Sequence, residues 1–458
     1  METALREQML ARAEVLVNTL VSWAHDHPEA DLDGREAVVL EHGRVLLREL
    51  LGLLAGVAGP RTPACPRCGL RSLHPVRRRR PRTLQTRCGL IRVPRQQLSC
   101  GGCGASWQPV DGVLRLAPKQ RTSAGVQRWE ARLGGLTTFA EAAGLLEELT
   151  GVAVGAETLR THAERLGTEL EGYQHARMAH VQAEQAPPPD ASAPAPGQLV
   201  VETDGVMVRY RDRHLDGVPI EGDWHEVKLG LVAGWVDRQL QRPSYVAARE
   251  PAARFARRLS TEAACRGALD VVGWRQAAQD GGGHQAILRP VVIVGDGAHW
   301  IWDEAAASFG SERTEIVDWY HATEHLWVLA KALHGESGPT THTATWQRRA
   351  ETVLWQHGAA ALLPHLARLR PPTPEAAKVL ATERGYFRAN AARMQYPSFR
   401  QRGLPIGSGA VEAEAKRLVQ LRLKRSGMRW TDLGARAILH LRCHALSDRS
   451  FDDLALAA

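Results

Sequence analysis

Residues 198–210 read QLVVETDGVMVRY, a strand pattern that carries Asp204 in its middle. Residues 289–295 read RPVVIVG, a short apolar run of the kind that forms a buried strand, and it stops on Asp296. Thr314 to Val317 is a third such stretch and stops on Asp318. His225 to Val236 and Ser244 to Ala248 add two more strand patterns, and Phe255 to Val272 reads as a helix. This half of the chain is therefore expected to be mixed α/β. An Asp followed by Gly at a strand end, as in Asp204-Gly205 and Asp296-Gly297, is an ordinary turn on one reading. On the other it is a carboxylate presented at the open end of a sheet, where ligands bind.

Helical patterns dominate from His321 to about Met394, broken at Pro371, Pro372 and Pro374. Beyond them, residues 407–430 read GSGAVEAEAKRLVQLRLKRSGMRW. Glu412 falls in the first turn of the helix that begins here, and Lys416, Arg417, Arg422, Lys424, Arg425, Arg429 and Trp430 follow as expected DNA contacts. A carboxylate beside so many cations suggests a metal-dependent site working on a phosphate backbone. A surface helix with a first-turn acid and a solvated basic face explains the same residues. Helical periodicity leaves Glu412 and Glu414 on opposite flanks and does not choose between them.

Upstream, residues 183–197 are rich in Pro, Ala and Ser and mark a linker. Residues 116–182 are helical, with a helix–turn–helix pattern around Gly151. Its second helix offers Thr158, Arg160, Thr161 and His162 to a major groove. Residues 61–115 hold two C-x2-C pairs, Cys65/Cys68 and Cys100/Cys103, enough thiolates for a tetrahedral zinc ribbon. A hairpin around Gly89 accounts for the long interval between the pairs and leaves Cys88 as a spare thiol. Arg77, Arg78, Arg79 and Arg80 in that interval favour DNA contact. Residues 1–60 carry two amphipathic helical stretches, which pack on the body or on a second protomer.

The net charge is +8, which favours an anionic partner. Paired cysteines suit metal in a reducing cytoplasm better than disulfides. There is no signal-peptide pattern and no uninterrupted apolar window long enough to span a membrane.

Taken together, VETDGV, VVIVGDGAHWIW, DWYHATEHLW, GLPIGSGAVE and LKRSGMRW resemble the DDE transposases of bacterial insertion sequences, in the Kra-type group related to the Mutator-like superfamily. The resemblance covers most of residues 85–445 and is strongest from 198 onward. It implies an RNase H-like α/β catalytic domain with a helical insertion, preceded by the zinc ribbon and the helix-turn-helix-like region. The expected domains are 1–60, 61–115, 116–182, the linker 183–197, 198–327, the insertion 328–405, 406–446 and a tail, 447–458. It further implies that Asp204 on the first strand, Asp296 after the fourth and Glu412 on the late helix bind Mg2+ or Mn2+. Asp318 and His321 match an acid-x2-His signature near that site. The implied activity is binding of element ends, metal-dependent cleavage and 3′-hydroxyl strand transfer. The implied partners are double-stranded DNA and, as a homodimer or higher oligomer, further copies of the chain at the cytoplasmic nucleoid.

Two other readings stand beside it. One is a transposase-derived DNA-binding protein that no longer cuts. The other takes His321, Glu324 and His325 as the H-x-x-E-H motif of a zinc peptidase. Trp300, Trp302, Trp319 and Trp430 are expected in the core, with base stacking as the alternative. Gly281-Gly-Gly lacks the Lys-Ser/Thr of a phosphate loop.

Overall fold

The computed structural model describes residues 2–59, 63–76, 81–183, 195–211, 214–215, 218–219, 223–268, 290–309, 313–336, 342–407, 409–447, 449 and 451. Arg77 to Arg80, most of the expected linker and Gly281-Gly-Gly lie outside them. The chain divides into two compact units, residues 1–163 with 451–458 and residues 164–450.

In the first unit, α1 (Glu2–Asp26) and α2 (Leu32–Gly56) form a helical hairpin. Asp31 caps α2 by accepting from the Gly34 N–H at 2.9 Å. No residue of α1 is buried, and Leu10, Val17 and Val21 are more than half exposed. β1 (Leu73–Pro75), β4 (Leu98–Cys100) and β5 (Ser106–Trp107) make a small antiparallel sheet. Between its strands, β2 (Arg82–Thr86) and β3 (Gly89–Val93) pair as a separate hairpin. Leu84, Ile91 and Val93 of that hairpin bury against Ala55 of α2. Gly89, at φ 103°, supplies the left-handed turn residue. α3 (Pro109–Val113) and α4 (Ala124–Leu136) follow. α5 (Phe139–Thr150) opens with a Thr138/Glu141 capping box and closes on Gly151 at φ 69°. α6 (Ala156–Gln182) starts in this unit and ends in the other. The two units thus part inside a helix, upstream of the Pro-rich linker. The C-terminal half of α6 is tied to the second unit by Gln174 to Arg258 at 2.7 Å and by the buried Arg177–Glu262 pair at 3.4 Å.

The second unit is built on a five-stranded mixed sheet. Its strands are β6 (Gln198–Arg209), β9 (Trp224–Val236), β10 (Gln239–Ala248), β11 (Val291–Gly295) and β12 (Thr314–Val317), with β7 (His214–Leu215) and β8 (Val218–Pro219) in an excursion. The order across the sheet is β10-β9-β6-β11-β12. β9 runs antiparallel to both neighbours, while β6, β11 and β12 are parallel. Continuous apolar runs suit strands covered on both faces, and all five residues of β11 are buried. α7 (Ala252–Ala263), which continues as a π-helical stretch (Ala264–Ala268), and α8 (His299–Phe309) cover one face. The helical segment comprises α9 (Trp319–His334), α10 (His342–His357), α11 (Ala359–Ala367), α12 (Pro374–Ala389) and α13 (Tyr396–Gln401). It shares one core with the sheet, through Leu326, Leu354, Phe387 and Tyr396. α14 (Gly409–Glu414) passes through a π-helical stretch (Ala415–Gln420) into α15 (Leu421–Leu423), and α16 (Asp432–Leu446) ends the unit. Among the described residues no helix is long and apolar enough to cross a membrane.

Candidate active site

Strand register sets the site. Val294 of β11 pairs with Glu202 of β6, and Gly295 pairs with Val317 of β12. Continued along the parallel strands, this register brings Asp204, two residues beyond Glu202, level with Asp296, two beyond Val294, and Asp296 level with Asp318, one beyond Val317. The three aspartates therefore share one level on three neighbouring strands, at the carboxyl ends of β11 and β12. Val201, Thr203 and Ile293 face α7 and α8. Period-two alternation carries Glu202 and Asp204 to the opposite face. There Glu202 lines a cavity with Tyr320, Gly407 and Ala410.

Each aspartate is held locally. Asp204 accepts from its neighbour Gly205 N–H at 2.7 Å, and Asp296 accepts from Ala298 N–H at 2.8 Å. Asp318 is buried and caps α9, accepting from the His321 N–H at 2.9 Å; its own N–H donates to Gly295 O at 2.8 Å. The His321 ring meets the same carboxylate at 3.2 Å. That hydrogen bond, helped by the charges of Asp318, Asp296 and Glu324 and opposed by burial, raises the His321 pKa to about 9. An imidazolium therefore stands beside the aspartates at neutral pH.

One turn along α9, His325 turns elsewhere. Its Nδ1 lies 2.6 Å from the Glu383 carboxylate, and its ring stacks on Tyr386 at 3.6 Å. The Tyr386 hydroxyl donates to the Asp296 carbonyl at 2.9 Å. His321 and His325 thus serve different partners, Asp318 and Glu383. Among the described residues no third ligand converges on them as a peptidase zinc would need. The H-x-x-E-H spacing was visible in sequence; Glu383 and Tyr386, on α12, carried no signal that tied them to it. Glu202 was also missed, although its place two residues before Asp204 fixes it on the same face.

The segment before α14 is pinned to this edge. Trp319 N–H donates to Ile406 O at 2.9 Å, and a Cβ built on Gly407 would lie 3.8 Å from Asp318 Oδ2. α14, which bears Glu412, packs against β6 and β9. The side chains of Glu412 and Glu414 lie outside the described residues.

The basic run divides in two. Lys416, Arg417, Lys424, Arg425 and Arg429 are exposed. Arg422 and Trp430 are buried, at 1% and 7% exposure, which corrects their assignment as DNA contacts. Arg422 lies 4.8 Å over the Trp430 ring, whose Nε1 donates to Leu423 O at 3.0 Å. Trp430 also exchanges backbone hydrogen bonds with Arg209 and Arg211 at the end of β6. Its role is to lock the late helix to the sheet. Trp302 is buried, and Trp319 packs edge-on against Tyr396 at 4.9 Å, as core residues do.

In the first unit, the Sγ atoms of Cys65, Cys68, Cys100 and Cys103 lie within 4.8 Å of one another. Cys65–Cys103 and Cys68–Cys100 are 3.5 and 3.6 Å apart. Four thiolates about 2.3 Å from a tetrahedral zinc sit roughly 3.8 Å from each other, so the cluster fits that ion. Backbone N–H groups of Cys103 and Gly102 aim at Cys100 and hold its thiol pKa down. Cys88 lies in the β2–β3 turn, outside the cluster. Among the described residues this is the one group of His, Cys, Asp and Glu so closely gathered; the three aspartates do not close to that distance.

The helix–turn–helix pattern forms two helices, α5 and α6, on either side of Gly151, and α5 packs with α4 and the turn through Val126, Leu146 and Val152. Arg160 pairs with Glu157, and Thr161 bonds back to Glu157 O at 2.9 Å. His162 contacts the fully buried Glu130 carboxylate, which removes it from the candidate groove contacts. No protein-family model and no curated protein matches this chain.

Proposed function

We propose that the chain is a DDE transposase that binds the ends of an insertion sequence, cleaves there and joins the freed end to target DNA. The observation that carries this reading is the shared level of Asp204, Asp296 and Asp318 on adjacent strands. Asp204 lies on the first strand of the sheet and Asp296 follows the fourth, the placement expected for an RNase H-like catalytic domain. The strand order β10-β9-β6-β11-β12 with one reversed strand supports the same fold.

Asp204, Asp296 and Glu412 would hold Mg2+ or Mn2+; an all-oxygen donor set suits such hard cations. Bound there, the cations lower the barrier at the attacking and leaving oxygens of a phosphodiester. In cleavage, a water oxygen bonds to phosphorus, the bond to the 3′ oxygen breaks, and that oxygen takes up a proton. In joining, the freed 3′-hydroxyl loses its proton and attacks a target phosphorus, displacing a second 3′ oxygen. His321 offers positive charge beside the aspartates, and Tyr386 fixes the backbone after β11. The exposed cations from Lys416 to Arg429 hold phosphates. The cysteine cluster, with Arg77 to Arg80, and the α5–α6 helices recognise element ends. A second copy supplies the second end; the exposed apolar residues of α1 support self-association. A protein acting on chromosomal DNA works at the cytoplasmic nucleoid.

The experiment is strand cleavage of the DNA flanking this gene, with Mg2+ or Mn2+, by wild type and Asp296→Ala. Metal-dependent nicks at the flanking repeats that vanish in the variant support the reading. Binding without nicks favours a DNA-binding descendant that no longer cuts.

A further inference from the structure

The β9–β10 hairpin turns on Asp237 and Arg238, both left-handed at φ 50° and 61°. Two positive-φ residues make the type I′ turn, which prefers Asn-Gly, and a non-glycine residue held there costs on the order of 1 kcal/mol. Arg238 is exposed and lines a cavity of about 450 Å³ with Trp235, Arg400 and Gln401. Arg400 reaches it from α13, its guanidinium stacked 3.9 Å over Trp355 and bonded to Trp355 O at 2.8 Å. Arg400 Nε is buried and has no hydrogen-bond partner among the described residues. Two arginines therefore line one cavity, and none of its described lining residues is acidic.

Trp235 lines both this cavity and the one of about 520 Å³ that Glu202, Tyr320 and Gly407 also line. Its Nε1 donates to Gly403 O at 2.7 Å, which fixes the indole in place. Tyr320 is 57% exposed. Gly407 borders Asp318, so the second cavity opens at the level of the aspartates. The two cavities form a groove from a pair of arginines, past an indole, to an exposed phenol beside the carboxylates.

We infer that this groove binds an unpaired nucleotide of the DNA strand whose phosphodiester enters the carboxylate site. The base lies in the cavity walled by Trp235 and Tyr320, and the adjoining phosphate lies on Arg238 and Arg400. Aromatic walls with cations at one side are how sequence-tolerant single-strand sites are made. The left-handed strain at Arg238 is then tied to function rather than to the turn. The identity of the strand rests on the transposase reading; binding itself does not.

The test uses the full chain, without divalent metal, and a fluorescein-labelled oligothymidylate carrying one 2-aminopurine. Anisotropy gives affinity across a salt series, and quenching of the 2-aminopurine reports stacking. Arg238→Gly relieves the turn, so thermal stability is expected to hold or rise. Its affinity is expected to fall several-fold and its log–log salt slope to shrink by about 0.7, one phosphate contact on a single strand. Tyr320→Ala is expected to lose the quenching and about tenfold in affinity. Unchanged affinity and slope in Arg238→Gly overturn the groove. If wild type also cleaves flanking duplex and Asp296→Ala does not, the transposase reading survives that failure. Weakened binding in Arg238→Gly with no cleavage by wild type supports the groove and sinks the transposase reading instead.

Discussion

The Tyr386 hydroxyl donates a 2.9 Å hydrogen bond to the backbone carbonyl of Asp296, ninety residues earlier in the chain. Gly297, the next residue, is at φ 99°, and a Cβ there would stand 2.8 Å from Tyr386 Cε2. The ring is stacked on His325, which is itself held by Glu383. Burial, reinforced by the charges of Asp296 and Asp318, pushes the phenol pKa up, so the donor stays protonated at any working pH. A helix far along the chain thus fixes the turn that presents the second aspartate.

Tyr386→Phe keeps the ring and removes the donor. One hydrogen bond is lost, about 1 kcal/mol of stability. The larger effect falls on the Asp296 turn: strand cleavage is expected to need several-fold more Mg2+ for half-maximal rate. A Mg2+ titration of the cleavage rate measures it, with a melting curve as control. Identical Mg2+ dependence in the variant and wild type would show that the bond only stabilises the fold.

His321 gives the site a pH signature. Its folded pKa of about 9 lies above the ordinary 6.5, so the stability it adds is complete below about pH 6.5 and is lost as pH rises through about 9. The ring is 35% exposed, so solvent screening leaves on the order of 1 kcal/mol of the roughly 3 that the shift alone implies. Denaturant melts from pH 6 to 10 should show this decline in wild type and a flatter profile in His321→Gln. Parallel profiles would mean that the Asp318 contact does not charge the imidazole.

The four clustered cysteines predict one zinc per chain. Cys100→Ser is expected to lose that metal and to unfold the β1-β4-β5 sheet, whose few strands bury little apolar surface of their own. Elemental analysis of the purified protein checks the count, and Cys88→Ser is the control expected to keep it. Zinc retained in Cys100→Ser would remove that cysteine from the ligand set.

Much of this was legible because the chemistry is local. The apolar run before Asp296 fixes a buried strand, and the C-x2-C pairs fix a thiolate cluster. Parallel register then follows only from pairing, which no single strand encodes; the common level of Asp204, Asp296 and Asp318 needed the sheet. Tyr386 and Glu383 were illegible for the same reason, since their partners lie far away in sequence. The basic run misled for a different one: Arg and Trp read as DNA-binding by type, whereas tertiary packing decides which of them are buried. The left-handed pair at Asp237 and Arg238 carries no glycine, so nothing in their identity announced the tight turn.

Burial within the basic run yields the last expectation. Arg422 is enclosed over Trp430, so Arg422→Ala leaves a cavity and removes a cation from an aromatic face. It is expected to destabilise the chain by about 3 kcal/mol and to lower DNA affinity only through unfolding. Lys424 is exposed and lies 5.8 Å over the Trp224 ring. Lys424→Ala is expected to change stability by less than about 0.5 kcal/mol. If Lys424 holds a duplex phosphate, the log–log salt slope for DNA binding falls by about 0.9. Chemical denaturation and salt-dependent duplex binding on the two variants separate these roles. A stable Arg422→Ala with a reduced salt slope would return Arg422 to the DNA surface and break the packing account of the late helix.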